Sequence, residues 1–394
     1  MVRRGSLLPV VPAVVVVLVA LCLRGPFSAA GPLLGELGDE LDVALTVLAV
    51  LASLPLVCFG LLSPLAPGLA ARVGLYRAVV AGLLLLTAGI GLRLAGVGGL
   101  FAGTVLLSGG IALANVLLPA VARAEYGSRA TSVVGLITAS MAVSAALGAG
   151  LAQPFADATG SALGGLALWA APVLLAAAAM GLLARARRED AVATPSPAER
   201  RGMLRDPVAV AVTAFFGLQS LSFYGMLTWL PDVLEAEAQV TAVAAGGLTA
   251  VAAVLGGPLG LVVPSLAARR RTQVGWVVAI AVPTAAGLLG LLLAPSAAPL
   301  LWAVLYGIGT GAAFPLSMTL ILLRTRDVAQ TGRLSAAAQS AGYLLAATGP
   351  IAVGGLAELT GGWTAGLLLL LGVLAAQTLT GIAAARPRLV APAS

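Results

Sequence analysis

The sequence predicts an all-α membrane protein, with twelve transmembrane helices in two pseudo-symmetric six-helix bundles. Three observations carry this. First, 60% of the 394 residues are hydrophobic and only 9% are charged, a balance that calls for lipid as solvent. Second, the apolar runs are long and unbroken, as at 14–23, 79–86 and 367–374. Barrel strands would alternate with a period of two. Third, the charges segregate between alternate loops.

Backbone in lipid must satisfy its own hydrogen bonds, which favours helices here. At about 20 residues per crossing, helices are expected at 10–34, 43–66, 76–95, 99–122, 131–154, 163–184, 207–231, 242–266, 274–294, 299–323, 334–357 and 363–384. The start resembles a signal peptide: Arg3 and Arg4, an apolar stretch, then Ser28-Ala29-Ala30. The many spans that follow make a retained first helix the better reading.

An even number of crossings puts both ends on one side. That side collects Arg3, Arg4, Arg72, Arg77, Arg123, Arg129, Arg185, Arg187, Arg188, Arg200, Arg201, Arg205, Arg269, Arg270, Arg271, Arg324, Arg326, Arg333, Arg386 and Arg388. The other side holds only Arg93, at a helix end, with the acids Glu36, Asp39, Glu40, Asp42, Asp157, Asp232, Glu235, Glu237 and Glu358. The positive-inside rule therefore puts both termini in the cytoplasm, with the chain in the inner membrane. One missed helix would scramble the pattern. The net charge of +7 is thus a topology signal rather than a nucleic-acid-binding face.

The longest polar stretch, 185–206, contains Pro195, Ser196 and Pro197. It reads as a cytoplasmic linker between a bundle at 1–184 and a second at 207–394, which ends in a short cytoplasmic tail. The halves echo each other. Arg123 follows the fourth span as Arg324 follows the tenth. Gly148 to Pro154 resembles Ala346 to Pro350, and Arg72 and Arg77 match Arg269–Arg271 in position. A repeated six-helix unit points to alternating access around a midplane site.

Arg24 is the sharpest feature inside a span. A charge at a helix centre costs about 2.5–3.5 kcal/mol on insertion scales. Snorkelling roughly 15 Å to the interface is beyond its reach. It therefore faces a water-filled cavity, and Gly25 and Pro26 loosen the helix behind it. Its planar fork suits an anion; a structural pairing with a carbonyl or an acid is the bland alternative. No Asp or Glu falls in an apolar core, the nearest being Glu125 and Asp232 at helix ends. A side-chain proton relay is therefore not evident.

The other polar residues in the spans are neutral: Asn115 in span four; Phe215, Gln219, Phe223 and Tyr224 in span seven; Gln339 and Tyr343 in span eleven. Phe215, Gln219 and Phe223 share a helical face, as do Gln339 and Tyr343. Gln219 holds the place in its half that Arg24 holds in the first. Interhelical amide bonds are the alternative role for each. An aromatic-amide cavity with one cation suits a small delocalised anion or a heteroaromatic. The glycines of spans four, five and ten read chiefly as helix packing. Cys22 and Cys58 lie in apolar runs, so a disulfide framework is excluded and buried filler expected. With no histidine, imidazole chemistry is out. No phosphate-binding loop, nucleophile–base pair or metal cluster marks an enzyme. No cofactor or metal is expected.

The whole chain resembles the major facilitator superfamily, and more narrowly its cyanate permease and 2-nitroimidazole transporter branch. The carrying pieces are Leu23-Arg24-Gly25-Pro26 with Gly31-Pro32-Leu33-Leu34; Leu54-Pro55 and Ser63-Pro64-Leu65-Ala66-Pro67; Asn115-Val116-Leu117-Leu118-Pro119; Phe215-Phe216-Gly217-Leu218-Gln219-Ser220 with Phe223-Tyr224 and Trp229-Leu230-Pro231; and Leu334-Ser335 with Gln339, Gly342-Tyr343 and Gly349-Pro350. The superfamily's loop motif after span two is degenerate. Arg72-Val73-Gly74 fits and Arg77 follows, but Ala71 stands where the acid belongs and Leu75 where a base does. The resemblance implies rocking bundles around a central site, acting as a monomer on a small anionic or nitro-heterocyclic substrate. It marks Arg24 as the substrate anchor, with Gln219, Tyr343, Asn115 and Gln339 ranked below it. Export of nitro-heterocyclic drugs through a neutral aromatic cavity of Phe215, Phe223, Tyr224 and Tyr343 is the second reading.

Overall fold

The computed structural model describes residues 10–43, 45–187, 203 and 205–391. Seventeen α-helices follow one another along the described chain. They are α1 (Val10–Leu21), α2 (Gly25–Ser28), α3 (Leu34–Leu41), α4 (Leu45–Leu62), α5 (Leu65–Val73), α6 (Leu75–Leu92), α7 (Gly96–Tyr126), α8 (Ala130–Thr159), α9 (Ala162–Ala167), α10 (Ala170–Ala186), α11 (Pro207–Ala238), α12 (Ala242–Val254), α13 (Gly256–Ala267), α14 (Val274–Leu293), α15 (Pro299–Leu323), α16 (Val328–Thr360) and α17 (Thr364–Ala385). Among the described residues there is no strand.

These helices make twelve crossings. Ten stretches are long and apolar enough to span a bilayer. One of them, Gly96–Thr159, runs to 64 residues and holds both α7 and α8, joined by the short 3-10 turn Gly127–Arg129. The bent pair α4–α5 supplies the remaining crossing, turning by 53° between its two arms. The α7–α8 turn is possible because Gly127 takes a φ of 51°, a conformation in which glycine pays no side-chain penalty.

Four crossings differ from simple rods, the sixth being interrupted at Leu168 and Trp169 between α9 and α10. The first breaks after Leu21 and restarts at Gly25. The second continues through its bend to Val73, so Arg72 lies in the last helical turn rather than in a loop. The eighth is kinked at Leu255, between α12 and α13. The eleventh begins at Val328, which draws Arg333 into the helix. Most of the expected linker, with Arg188, Arg200 and Arg201, lies outside the described residues, as do Arg3 and Arg4.

The hydrogen bonds joining the first six crossings to the last six are not spread evenly. Toward the side of the termini, Thr138 Oγ1 lies 3.1 Å from the Gly260 carbonyl and equally close to the Val134 and Gly135 carbonyls of its own helix, so its one proton is shared among the three. The Arg123 guanidinium donates to the carbonyls of Leu322 and Arg326 and to Thr325 Oγ1. At mid-span, Ser340 Oγ donates to the Gly60 carbonyl at 2.7 Å. Among the described residues, the bonds on the opposite side stay within one half. There Gln153 bonds Glu36 and Asp157, Ser161 bonds Glu40, and Trp229 bonds the Pro350 carbonyl. The two halves are thus clasped on the side of the termini.

Ion pairing at that side is local. Arg187 meets Glu125 at 2.6 Å, and Tyr76 also donates to Glu125. Arg324 is buried and caps the end of α17, donating to the carbonyls of Ala384 at 2.7 Å and Ala385 at 2.9 Å. A cation at a helix C-terminus is favourable there. Arg123 and Arg324 echo each other in sequence, yet one bridges the halves and the other locks a helix end.

Candidate functional site

The site begins with the break in the first crossing. A continuous helix would press the Pro26 ring against the Cys22 carbonyl and would lack one amide donor. The chain instead opens at 22–24, and Ser144 of α8 fills the gap. Its hydroxyl accepts from the backbone N–H of Arg24 at 3.2 Å and of Gly25 at 2.8 Å. It donates to the Leu21 carbonyl at 2.6 Å. One fully buried hydroxyl therefore ties both ends of the break, restoring hydrogen bonds the helix lost.

Close packing holds the break on both sides. A Cβ on Gly25 would come within 2.5 Å of the Trp169 ring. One on Gly148 would come within 2.5 Å of the Gly25 carbonyl oxygen. Arg93 adds a third brace. It stands at the end of α6, as the sequence suggests, is fully buried, and donates to the Pro26 carbonyl and to Thr104 Oγ1, each at 3.1 Å.

So fixed, Arg24 projects to the other half of the molecule. Its guanidinium donates to Tyr224 Oη of α11 at 2.8 Å and to Tyr343 Oη of α16 at 3.4 Å. The Phe314 ring of α15 lies 6.0 Å beneath it, at the outer limit of cation–π attraction. Among the described residues no carboxylate pairs with it. Arg24 is half-buried.

An aromatic floor surrounds the cation. Tyr343 packs against Phe59 and Phe216, each with centroids 5.3 Å apart. Phe216 continues to Phe314 at 6.1 Å, and Phe59 to Phe27 at 6.4 Å. Phe27, Phe59, Phe314 and Ser144 carry no mark in the sequence, and Phe216 enters there only within a longer motif. In spans made mostly of apolar residues an inward aromatic leaves no periodic mark.

The other residues singled out from the sequence divide. Phe223 stacks edge-on against Tyr224 at 5.2 Å and is half-buried. Gln339 donates to the Asn115 carbonyl at 3.2 Å and to Ser335 Oγ at 2.8 Å. The Asn115 side chain is buried with neither its amide nitrogen nor its oxygen bonded. Gln219 turns back on its own helix, donating to the Phe216 carbonyl at 3.1 Å and to Ser220 Oγ at 2.6 Å. Phe215 is fully buried against Gly381 of α17, within its own half. The geometry therefore gathers Arg24, Tyr224, Tyr343 and Phe223. It sets Asn115 and Gln339 in a neighbouring layer and leaves Gln219 and Phe215 apart. In the degenerate loop motif, Gly74 takes a φ of 95° at the junction of α5 and α6. Arg72 and Arg77 are exposed nearby.

Arg24 offers five N–H donors, of which two are bonded to phenol oxygens. Each phenol accepts from Arg24 and keeps its own proton for a ligand. The cluster thus presents N–H and O–H donors around one positive charge and no formal negative charge. Such a set binds a planar anion through paired hydrogen bonds.

A fold of twelve crossings in two halves around a mid-span polar site defines a membrane transporter of small molecules. The chain belongs to the major facilitator superfamily, whose model matches residues 16–350. It is a transporter and not an enzyme. It is 35% identical over 378 residues to the uncharacterized transporter YycB of Bacillus subtilis (strain 168), covering 95% of this chain and 93% of that one. It is 33% identical to a 2-nitroimidazole transporter of Escherichia coli (strain K12), with 90% of each chain covered. The cyanate transport protein CynX of the same organism is 28% identical, with 89% of this chain and 90% of that one covered. The fold is similar to the crystal structure of the E. coli fucose:proton symporter FucP (N162A), with a TM-score of 0.75, 14% identity, and 96% and 98% coverage of the two chains.

Proposed function

We propose that the protein is a secondary active or facilitative transporter for a small organic or pseudohalide anion of the cyanate type. The anion is held by Arg24 with Tyr224 and Tyr343 and moved across the inner membrane by alternating access. The observation that carries this is the Arg24 cation, bonded only to two phenol oxygens and without a carboxylate partner among the described residues, at the junction of the halves. A mid-membrane charge is expensive, and an anionic ligand offsets that cost while the acid-free site leaves room for it. In this reading bundles at 1–184 and 207–394, joined by the 185–206 linker, rock about the site as a monomer, with both termini cytoplasmic. Likeness to a protein named for cyanate transport supports the substrate class.

The test is exchange of labelled cyanate across proteoliposomes by wild-type protein, Arg24→Ala and Arg24→Lys. Loss in the alanine variant with weak retention in the lysine variant supports the anchor; undiminished exchange in both sinks it.

A second reading, export of nitro-heterocycles, draws on the ring of Phe59, Phe216, Phe314 and Tyr343 and on the 2-nitroimidazole relative. It predicts 2-nitroimidazole efflux that survives Arg24→Ala.

A further inference from the structure

Between the Arg24 layer and the Thr138–Gly260 clasp lies a small closed cavity of about 10 Å³. Asn115, Thr138, Met141, Phe314, Met318 and Gln339 are among its walls. They come from α7, α8, α15 and α16, so both halves of the molecule contribute. Asn115 is only 6% exposed, and both ends of its amide lack a partner. Buried amides in folded proteins are nearly always bonded, so this one calls for an explanation. A cavity this size sits at the lower limit for one water.

Phe314 belongs to both layers. Its ring lies under the Arg24 guanidinium and also walls the cavity. It separates the two polar sites. Gln339 stands one helical turn from Tyr343 on the same face of α16, displaced toward the clasped side. The polar groups thus form a column: Arg24 with Tyr343, then Phe314, then Asn115 with Gln339, then the clasp.

We propose that Asn115 and Gln339 form a second, inner station on the transport path, sealed behind Phe314 in this state and exposed when the clasp opens. A primary amide supplies one acceptor and paired donors without charge. The station would therefore hold the far hydrogen-bonding end of a small substrate: the second end of cyanate, a nitro group or a ring nitrogen. This rests on the transport reading above and adds a requirement to it. The substrate must be small and flat enough to pass a phenyl ring, and it must carry a hydrogen-bonding group as well as the part that Arg24 holds.

The station predicts a sided defect. In proteoliposomes of defined orientation, exchange is measured with labelled cyanate and with labelled 2-nitroimidazole, each presented from either side. Asn115→Leu is expected to raise the KM from the side of the termini by roughly tenfold, the loss of one to two hydrogen bonds, and from the other side less than about twofold. Gln339→Leu is expected to show the same asymmetry, and decides the matter should Asn115→Leu fold poorly. Arg24→Ala raises the KM for cyanate from both sides if the anion reading holds. Its failure to do so overturns that reading while leaving the sided effect of Asn115→Leu to stand alone. Equal KM changes from both sides overturn the station, read in Asn115→Leu or, where that variant folds poorly, in Gln339→Leu.

Discussion

The first crossing and the seventh hold the same place in the two halves, and they solve the same problem in opposite ways. The first is broken into α1 and α2, with Arg24 at the break and its backbone tied by Ser144. The seventh is one helix of 32 residues. Its Gln219 satisfies its amide nitrogen on the Phe216 carbonyl and on Ser220. A break frees backbone groups that another helix must satisfy, and it re-aims the side chain beside it. An unbroken helix lets a polar side chain fall back on its own turn. The repeat has thus kept the fold symmetric while the chemistry of the site comes mainly from one break.

Five substitutions, falling into four ranks, sharpen or break that contrast. The largest effect belongs to Arg24→Ala, expected to cut cyanate exchange by about two orders of magnitude or more. The basis is the 2–5 kcal/mol typical of removing one member of a buried charge pair, read as initial exchange rates in proteoliposomes. Next is Ser144→Val, which removes three hydrogen bonds from the break and keeps the volume nearly constant. A rise in KM of roughly tenfold or more is expected at about 0.5–1.5 kcal/mol per bond. Ser144→Thr should recover most of the loss, and an unchanged KM in Ser144→Val would show that the break orients nothing. Tyr224→Phe and Tyr343→Phe come third. Each removes one phenol from the guanidinium, with affinity expected to fall about three- to tenfold, more for Tyr224, whose contact is shorter. Isothermal titration of the purified variants with cyanate checks the order. Gln219→Leu has the smallest effect on exchange, because its amide bonds only its own helix, whereas the loss of buried hydrogen bonds is expected to lower stability by about 0.5–1.5 kcal/mol each.

Much of the architecture was legible because lipid leaves a strong compositional trace. Long apolar runs and one-sided arginines count crossings without any detail of packing. Arg24 stood out for the same reason, as a charge where none is cheap. The break was harder to read. Pro119, Pro154, Pro231, Pro315 and Pro350 all lie inside continuous helices, so Pro26 alone does not announce one. What distinguishes it is Gly25 under Trp169 and a serine 120 residues away, both contacts between distant segments. Gln219 was misleading because helical position fixes which face a residue is on but not which rotamer its amide takes. Phe314 was invisible, being one apolar residue among many in α15.

The exposed Arg72 in the last turn of α5 shows a related limit. Hydropathy ends a span where lipid ends, whereas the backbone carries on helically into water until Gly74 turns it.

The central claim is that the proposed anion site depends on the break in the first crossing and has no equivalent at the symmetric position. Cyanate exchange by three proteins tests it most directly: wild type, Arg24→Gln, and the double variant Arg24→Gln with Gln219→Arg. The account predicts that both variants lose exchange alike, because an arginine at 219 starts from an unbroken helix facing its own turn. Recovery of exchange in the double variant, or full exchange in Arg24→Gln, would contradict it.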